Sequence, residues 1–205
     1  SNYSVTPLAL TGTAIAPGSS VYAAALTPGA VSFGNVVGAD VVTGTASVNT
    51  TTLSSSGNPI VGSYTQTAGA LGGTDAGNYS FAGYTSASNY SITPLALSGT
   101  AIAGVGTTYG TPATMGAVSF GNVVAGDNVT STASLVSPTY SGSGNLNVGS
   151  YAQSATTIGG TDAANYSFGG FTSASNNCTV GQLPLTGAAI AAGTWADAAA
   201  LTAGA

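Results

Sequence analysis

The chain has no lysine, no arginine and no histidine. Its only side-chain carboxylates are five aspartates, Asp40, Asp75, Asp127, Asp162 and Asp197, so the formal charge is −5 and 2% of residues are charged. Ordinary domains carry roughly 25%. Without cations nothing can neutralise phosphate, which excludes nucleic acid as a partner and disfavours anionic lipid headgroups. Side-chain salt bridges, tryptic cleavage and lysine isopeptide crosslinks are excluded as well. So is a Ser or Cys triad, because the nucleophile would have no base beside it. A single cysteine, Cys178, excludes an internal disulfide framework. No run approaches the about 20 apolar residues that span a bilayer, so no transmembrane segment is expected. No basic n-region followed by an apolar h-region is visible, so the chain is expected to be a mature or excised segment.

Composition nevertheless favours a folded protein. High net charge with low hydrophobicity marks disorder, whereas 43% of these residues are hydrophobic and fall in short alternating runs. The surface must then be Ser, Thr, Gly, Ala and Asn. Such a surface is neutral and small-grained, and charge repulsion does little to keep copies of it apart.

The dominant positive feature is a repeat. SNYSVTPLALTGTAIA at 1–16 returns as SNYSITPLALSGTAIA at 88–103, 87 residues later. At the same offset VSFGNVV at 31–37 returns at 118–124, VGSY at 61–64 at 148–151, and GGTDAGNYSF at 72–81 as GGTDAANYSF at 159–168. A third copy opens at Ser175 and aligns with 1–30 after one extra residue near Gly181, so that Leu185-Thr186-Gly187 match Leu10-Thr11-Gly12. In that alignment Cys178 replaces Ser4 and Ser91, Asp197 replaces Tyr22 and Tyr109, and the copy holds the only Trp, Trp195. Terminal repeats are commonly atypical. The chain is expected to be a window on a longer array, or to have its ends completed by neighbouring chains. Arrays work by reach, display and self-assembly more often than by one chemical site.

Thirty-one glycines and eight prolines punctuate the chain, and no stretch carries a capped helical period. The alanine-rich run 195–201 is the best helix-like segment, and it is short. Strands are expected at 30–33, 41–48, 62–67, 79–84, 90–92 and 95–102. In the second of these, Val42, Gly44, Ala46 and Val48 alternate with Val41, Thr43, Thr45 and Ser47, giving two faces. Turns are expected at 34–35, 57–59 and 72–77, and Pro94 should end the strand that passes Tyr90. Large aromatics recur with the repeat: Tyr22 and Tyr109, Phe33 and Phe120, Tyr64 and Tyr151, Tyr79 and Tyr166, Phe81 and Phe168, Tyr84 and Phe171. With so few large side chains available these must build the core. The competing reading is a sugar-binding platform of exposed tyrosines.

Thr108-Tyr109-Gly110, Gly126-Asp127-Asn128-Val129, Val148-Gly149-Ser150-Tyr151, the stretch from Gly160 through Asp162, Ala163, Asn165 and Tyr166 to Phe168, and Ile92-Thr93-Pro94-Leu95-Ala96-Leu97 form an ordered pattern. It resembles the tandem MBG/YDG-type repeats of large bacterial surface proteins with filamentous-haemagglutinin-like architecture. The likeness covers nearly the whole chain twice over, and the D-A-x-N-Y element is its most specific motif. The absent lysine is a departure, since the family usually carries one after the Thr-Pro and before the first Tyr. The resemblance implies a mostly-β, β-grasp-like module and an extracellular role in adhesion or surface structure. It also implies phasing: 1–21 as the terminal strand of a preceding module, modules at 22–108 and 109–190, and 191–205 as the start of a third. An orphan strand of that kind could complete a neighbour's sheet.

Chemistry at these residues is sparse. Asp40 and Asp75 share a repeat, but turns explain both, with Asp75 expected to bond its own turn backbone. Asp40, Asp75, Asp127 and Asp162 are weak calcium candidates, because each repeat offers only two carboxylates about 35 positions apart and calcium wants several oxygens. Transition metals lack ligands. No catalytic residue and no cofactor is expected. Cys178 is a candidate intermolecular crosslink or a buried small hydrophobe. Seven N-x-[ST] sequons, at Asn2, Asn49, Asn78, Asn89, Asn128, Asn165 and Asn177, are unremarkable in a Ser/Thr-rich chain. An ice-binding face would need a short-period Thr array, and 87 residues is the wrong scale.

The expectation is therefore an all-β protein of tandem 87-residue repeats in an elongated array on the bacterial cell surface. It would act as a subunit or segment of a self-associating fibre, filament or sheath. The alternative is an adhesin stalk presenting a ligand site. The expected partner is the protein itself, through strand edges or strand exchange, with host or matrix glycans as a further possibility.

Overall fold

The computed structural model describes residues 2–187. The candidate helix at 195–201, Trp195, Asp197 and the incomplete repeat at 191–205 lie outside the described residues. Those described are nearly all β, with two single-turn 3₁₀ segments at Ala76–Asn78 and Ala163–Asn165 and no α-helix.

The first repeat runs β1 (Leu8–Leu10), β2 (Gly12–Ile15), β3 (Gly18–Val21), β4 (Val31–Phe33), β5 (Thr43–Val48), β6 (Gly62–Gly72), β7 (Tyr79–Phe81) and β8 (Tyr84–Thr93). β3, β8, β6 and β5 form one sheet in that order, with β3–β8 parallel and the other pairs antiparallel. β2 pairs antiparallel with β4, and β1 parallel with β7. The second repeat runs β9 (Leu95–Leu97), β10 (Gly99–Ile102), β11 (Val105–Thr108), β12 (Val118–Phe120), β13 (Ser134–Leu135), β14 (Gly149–Tyr151), β15 (Gln153–Ala155), β16 (Tyr166–Phe168), β17 (Phe171–Thr172) and β18 (Cys178–Gly181). It repeats the same pairings with β6 and β8 each broken in two.

Local sequence explains most of this. In β5 exposure alternates along the strand, with Ala46 buried and Thr43, Thr45 and Ser47 outward, as the two-face pattern requires. β8 stops at Thr93 and β9 starts at Leu95, so Pro94 sits in the break, where its missing N–H costs no ladder bond. The expected strand 79–84 divides after Phe81, and 95–102 divides after Leu97.

Two expectations are corrected. The boundaries at 22 and 109 do not follow the ladders: 8–21 pairs with β4, β7 and β8, and 95–108 pairs with β12, β16 and β18. The described ladders all stay within 8–93 or within 95–181. The parallel pairs close each unit on its own first segment, so 8–21 is not an orphan strand awaiting a neighbour, whereas 2–7, the counterpart of 89–94 at the end of β8, joins no ladder and leaves Tyr3 and Val5 exposed. The extra residue of the third copy also lies earlier than Gly181. Gly18 faces Tyr90 in the first repeat, while its counterpart Val105 faces Cys178. Cys178 therefore occupies the place of Tyr90 rather than of Ser91. The added residue is absorbed within 173–176, and it is what splits β8 into β17 and β18.

Aromatics fill the interior as expected. Phe33 meets Phe81 edge-on at 5.2 Å, and Phe120 meets Phe168 at 5.3 Å. Tyr22, Tyr79, Tyr90 and Tyr166 are buried, so the repeated tyrosines do not make an exposed platform. The polar centre of each unit is a glutamine that composition did not announce. Gln66 is fully buried; its Oε1 accepts the Gly29 N–H at 2.7 Å and its Nε2 donates to Ala16 O at 3.1 Å and Asn89 Oδ1 at 3.0 Å. Gln153 does the same with Gly116, Ala103 and Asn177.

Candidate functional site at the junction of the two repeats

The four weak calcium candidates fall into two equivalent pairs, and each pair is brought together by one unit. Asp127 closes the loop after β12, where its N–H bonds Val124 O. Asp162 precedes the 3₁₀ turn before β16. Each carboxylate first ties its own unit. Tyr166 OH donates to Asp127 Oδ2 at 2.6 Å, and Asn128 N–H donates to Asp162 Oδ2 at 2.8 Å. In the first unit Tyr79 OH donates to Asp40 Oδ2 at 2.5 Å and Val41 N–H to Asp75 Oδ2 at 2.8 Å. Asp75 therefore reaches across to a segment 34 residues away instead of bonding its own turn backbone, as sequence reasoning expected.

The second oxygen of each carboxylate distinguishes the units. Leu53 bridges Pro59 in the first unit, and between them Gly57 N–H bonds Ser54 O to form a tight turn. Ser55 N–H, in that turn, donates to Asp162 Oδ1 at 3.0 Å, and Ser56 N–H donates to Asp127 Oδ1 at 2.9 Å. Val61 N–H donates to Asn165 Oδ1 at 2.9 Å. Tyr22 OH donates to Asp127 Oδ2 at 2.5 Å. The Tyr22 oxygen also lies 2.6 Å from Ser54 Oγ. A phenol has one proton and a carboxylate is the stronger acceptor, so the Ser54 hydroxyl donates to Tyr22 in turn. Four hydrogen bonds thus cross from one unit to the other among the described residues. The Tyr22 ring stands edge-on to Tyr166 at 5.3 Å, inside an apolar cluster that also joins Tyr90 and Ile92 of the first unit to Leu97 of the second.

Gly126 shows how close the approach is. Its φ is +98°, which favours glycine, and a Cβ there would lie 3.3 Å from Ser56 Cα.

Two anions are held here with no cation available. Hydrogen bonds from Asn128 and then Ser55 N–H bring the Asp162 carboxyl down to about 2. Burial alone would raise Asp127, but hydrogen bonds from Tyr166, Tyr22 and Ser56 outweigh it and hold it below the usual range. Burial, reinforced by the Asp127 carboxylate, pushes the Tyr22 and Tyr166 phenols up. The Asp127 and Asp162 oxygens are thus occupied by N–H and O–H donors, which leaves them poor cation ligands. Among the described residues no three His, Cys, Asp or Glu side chains gather as a metal site.

Cys178 is fully buried between β11 and β14, and burial raises its thiol pKa. An intermolecular crosslink would need the sulfur at the surface, so its place in the fold fits the buried small hydrophobe. The signal that could have found the junction was the recurrence of Asp, Asn and Tyr at fixed offsets; the donors opposite them are backbone N–H groups, which no residue type announces.

No protein-family model matches this sequence, and no similar protein was found among curated proteins or solved structures.

Proposed function

We propose that the chain is a structural repeat protein of the extracellular surface, a subunit or segment of a self-associating fibre, filament or sheath. The observation that carries this reading is the junction between the repeats. Asp127, Asp162 and Asn165 of the second repeat and Tyr22 of the first, whose types recur in both repeats, are committed there to holding one unit against the next. None is left facing a concave site where a substrate could meet it. A chain of units joined this way would form an elongated array, and the open edge strands β3 and β5 would offer lateral pairing. The likeness to MBG/YDG-type repeats supports the surface location. The parallel pairing of an early and a late strand of each unit, β3 with β8, supports a β-grasp-like reading of the module. A non-enzymatic role fits side chains with no general base other than aspartate.

Negative-stain electron microscopy of the purified protein tests the proposal. Regular long filaments or sheets are expected. Isolated thin rods at every concentration would instead favour the adhesin stalk.

A further inference from the structure

The two outward ends of the described residues carry the two halves of the junction just described. At the near end Asp40 Oδ1 and Asp75 Oδ1 accept no hydrogen bond among the described residues, and Asn78 is exposed, whereas its counterpart Asn165 is 4% exposed. Val37 is 58% exposed, while its counterpart Val124 packs against the Tyr22 cluster. At the far end the turn of 141–144 is built like that of 54–57. Gly144 N–H bonds Ser141 O, and Ser141, Ser143 and Asn145 join their side chains as Ser54, Ser56 and Asn58 do. Tyr109 stands beside that turn, as Tyr22 stands beside the first. The N–H groups of Gly142, Ser143 and Val148 occupy the positions of Ser55, Ser56 and Val61, and have no carboxylate opposite them among the described residues. Beside them Tyr109, Val148, Leu183 and Leu185 line an open groove of about 510 Å³.

We infer that a second copy of this chain docks head to tail, its Asp40, Asp75 and Asn78 taking the N–H groups of Ser143, Gly142 and Val148. Tyr109 OH donates to Asp40 beside Tyr79, and Val37 enters the groove. This rests on the self-association proposed above and specifies its axis. The contact is heterologous: the two surfaces differ, each copy keeps one of each, and addition continues without closure when the rotation does not close a ring. The occupant is identified by the molecule itself, because the same residues displaced by 87 positions already bind one another inside the chain. One departure tunes the contact. Ala39 stands where Gly126 approaches Ser56, and Gly38 takes a left-handed φ of +55° one residue earlier.

The test uses the full chain with three variants. Gly142→Pro removes the donor meant for Asp75, at a turn position that proline favours. Asn78→Cys with Val148→Cys places a thiol on each proposed partner. Val61→Cys with Asn165→Cys does the same at the existing junction as an internal control. Sedimentation velocity should show concentration-dependent association of the wild type, weakened about tenfold by Gly142→Pro, the size expected for losing one hydrogen bond to a charged group. Oxidation should give an intermolecular ladder for the 78/148 pair and an intramolecular bond for the 61/165 pair. Ala39→Gly should tighten association. Association that ignores Gly142→Pro, with no ladder although the control pair closes, overturns the head-to-tail contact and leaves strand edges as the route. A wild type that stays monomeric at all concentrations overturns both this contact and the self-association beneath it.

Discussion

At the residue scale the two repeats solve one packing problem in opposite ways. Gly18 leaves room for the ring of Tyr90, whose carbons lie 2.7 Å from where a Cβ would sit. Across the equivalent ladder position the second unit has Val105 facing Cys178, a larger residue for Gly18 on one strand and a smaller one for Tyr90 on the other. Exchanges that conserve total volume are tolerated, while adding bulk alone forces strain of typically 1–3 kcal/mol. Cys178→Tyr should therefore destabilise the protein by about 2 kcal/mol or more in urea unfolding. Adding Val105→Gly should recover most of that loss. Additive effects of the two changes would show that the positions do not share the space. The same burial keeps the thiol from reagents.

At the element scale what holds each unit is a buried side-chain clamp as much as a ladder. Gln66 bonds the Gly29 loop, the end of β2 and the middle of β8, three segments distant in sequence. Gln66→Ala would strip the half-buried Gly29 N–H and the Ala16 carbonyl of their side-chain partner, at about 1 kcal/mol for each hydrogen bond lost. Thermal unfolding should shift down by several degrees for Gln66→Ala, and at least as far for Gln66→Glu, which keeps the acceptor for Gly29 but turns a buried carboxylate oxygen on Ala16 O and Asn89 Oδ1. An unchanged midpoint for Gln66→Ala would show that the clamp adds nothing. The strands themselves were legible from alternation, from Pro94 and from turn glycines, because those signals are local. β3 and β11 were not, since GSSV and VGTT carry no pattern of their own and become strands only by pairing parallel with β8 and β18. Phasing was misread for a related reason. A repeat has the same period wherever it is cut, and only the long-range parallel pairs decide where one unit closes. The junction residues were visible as recurrent Asp, Asn and Tyr, yet their partners are main-chain groups of a serine-rich turn.

At the scale of the whole molecule, a protein without cations must hold its buried carboxylates with dipoles, and its response to solvent follows. Asp162 and Asp127 have folded-state pKa values below those of an unfolded chain, Asp162 at about 2 against 3.8. Their contribution to stability is therefore fully present above pH about 4 and is lost as pH falls through the folded value. Tyr22 and Tyr166 have folded-state values above the ordinary 10.0, so their contribution is present below that pH and is lost as pH rises through the folded values. With the buried Cys178 thiol also raised above its ordinary 9.0, denaturation midpoints should thus be flat from about pH 4 to about pH 9 and fall on both sides. Asp162→Asn, which keeps one acceptor but cannot ionise, should lower the plateau and blunt the acid limb. Salt should matter little inside the plateau. Screening acts on separated exposed charges, and here each junction anion sits against N–H and O–H donors within hydrogen-bonding distance. Raising NaCl from roughly 0.05 to roughly 1 M should leave the midpoint nearly unchanged. A steep loss of stability with salt at neutral pH would mean that long-range charge attraction holds the units together, and in a chain with no positive side chain that attraction has no source.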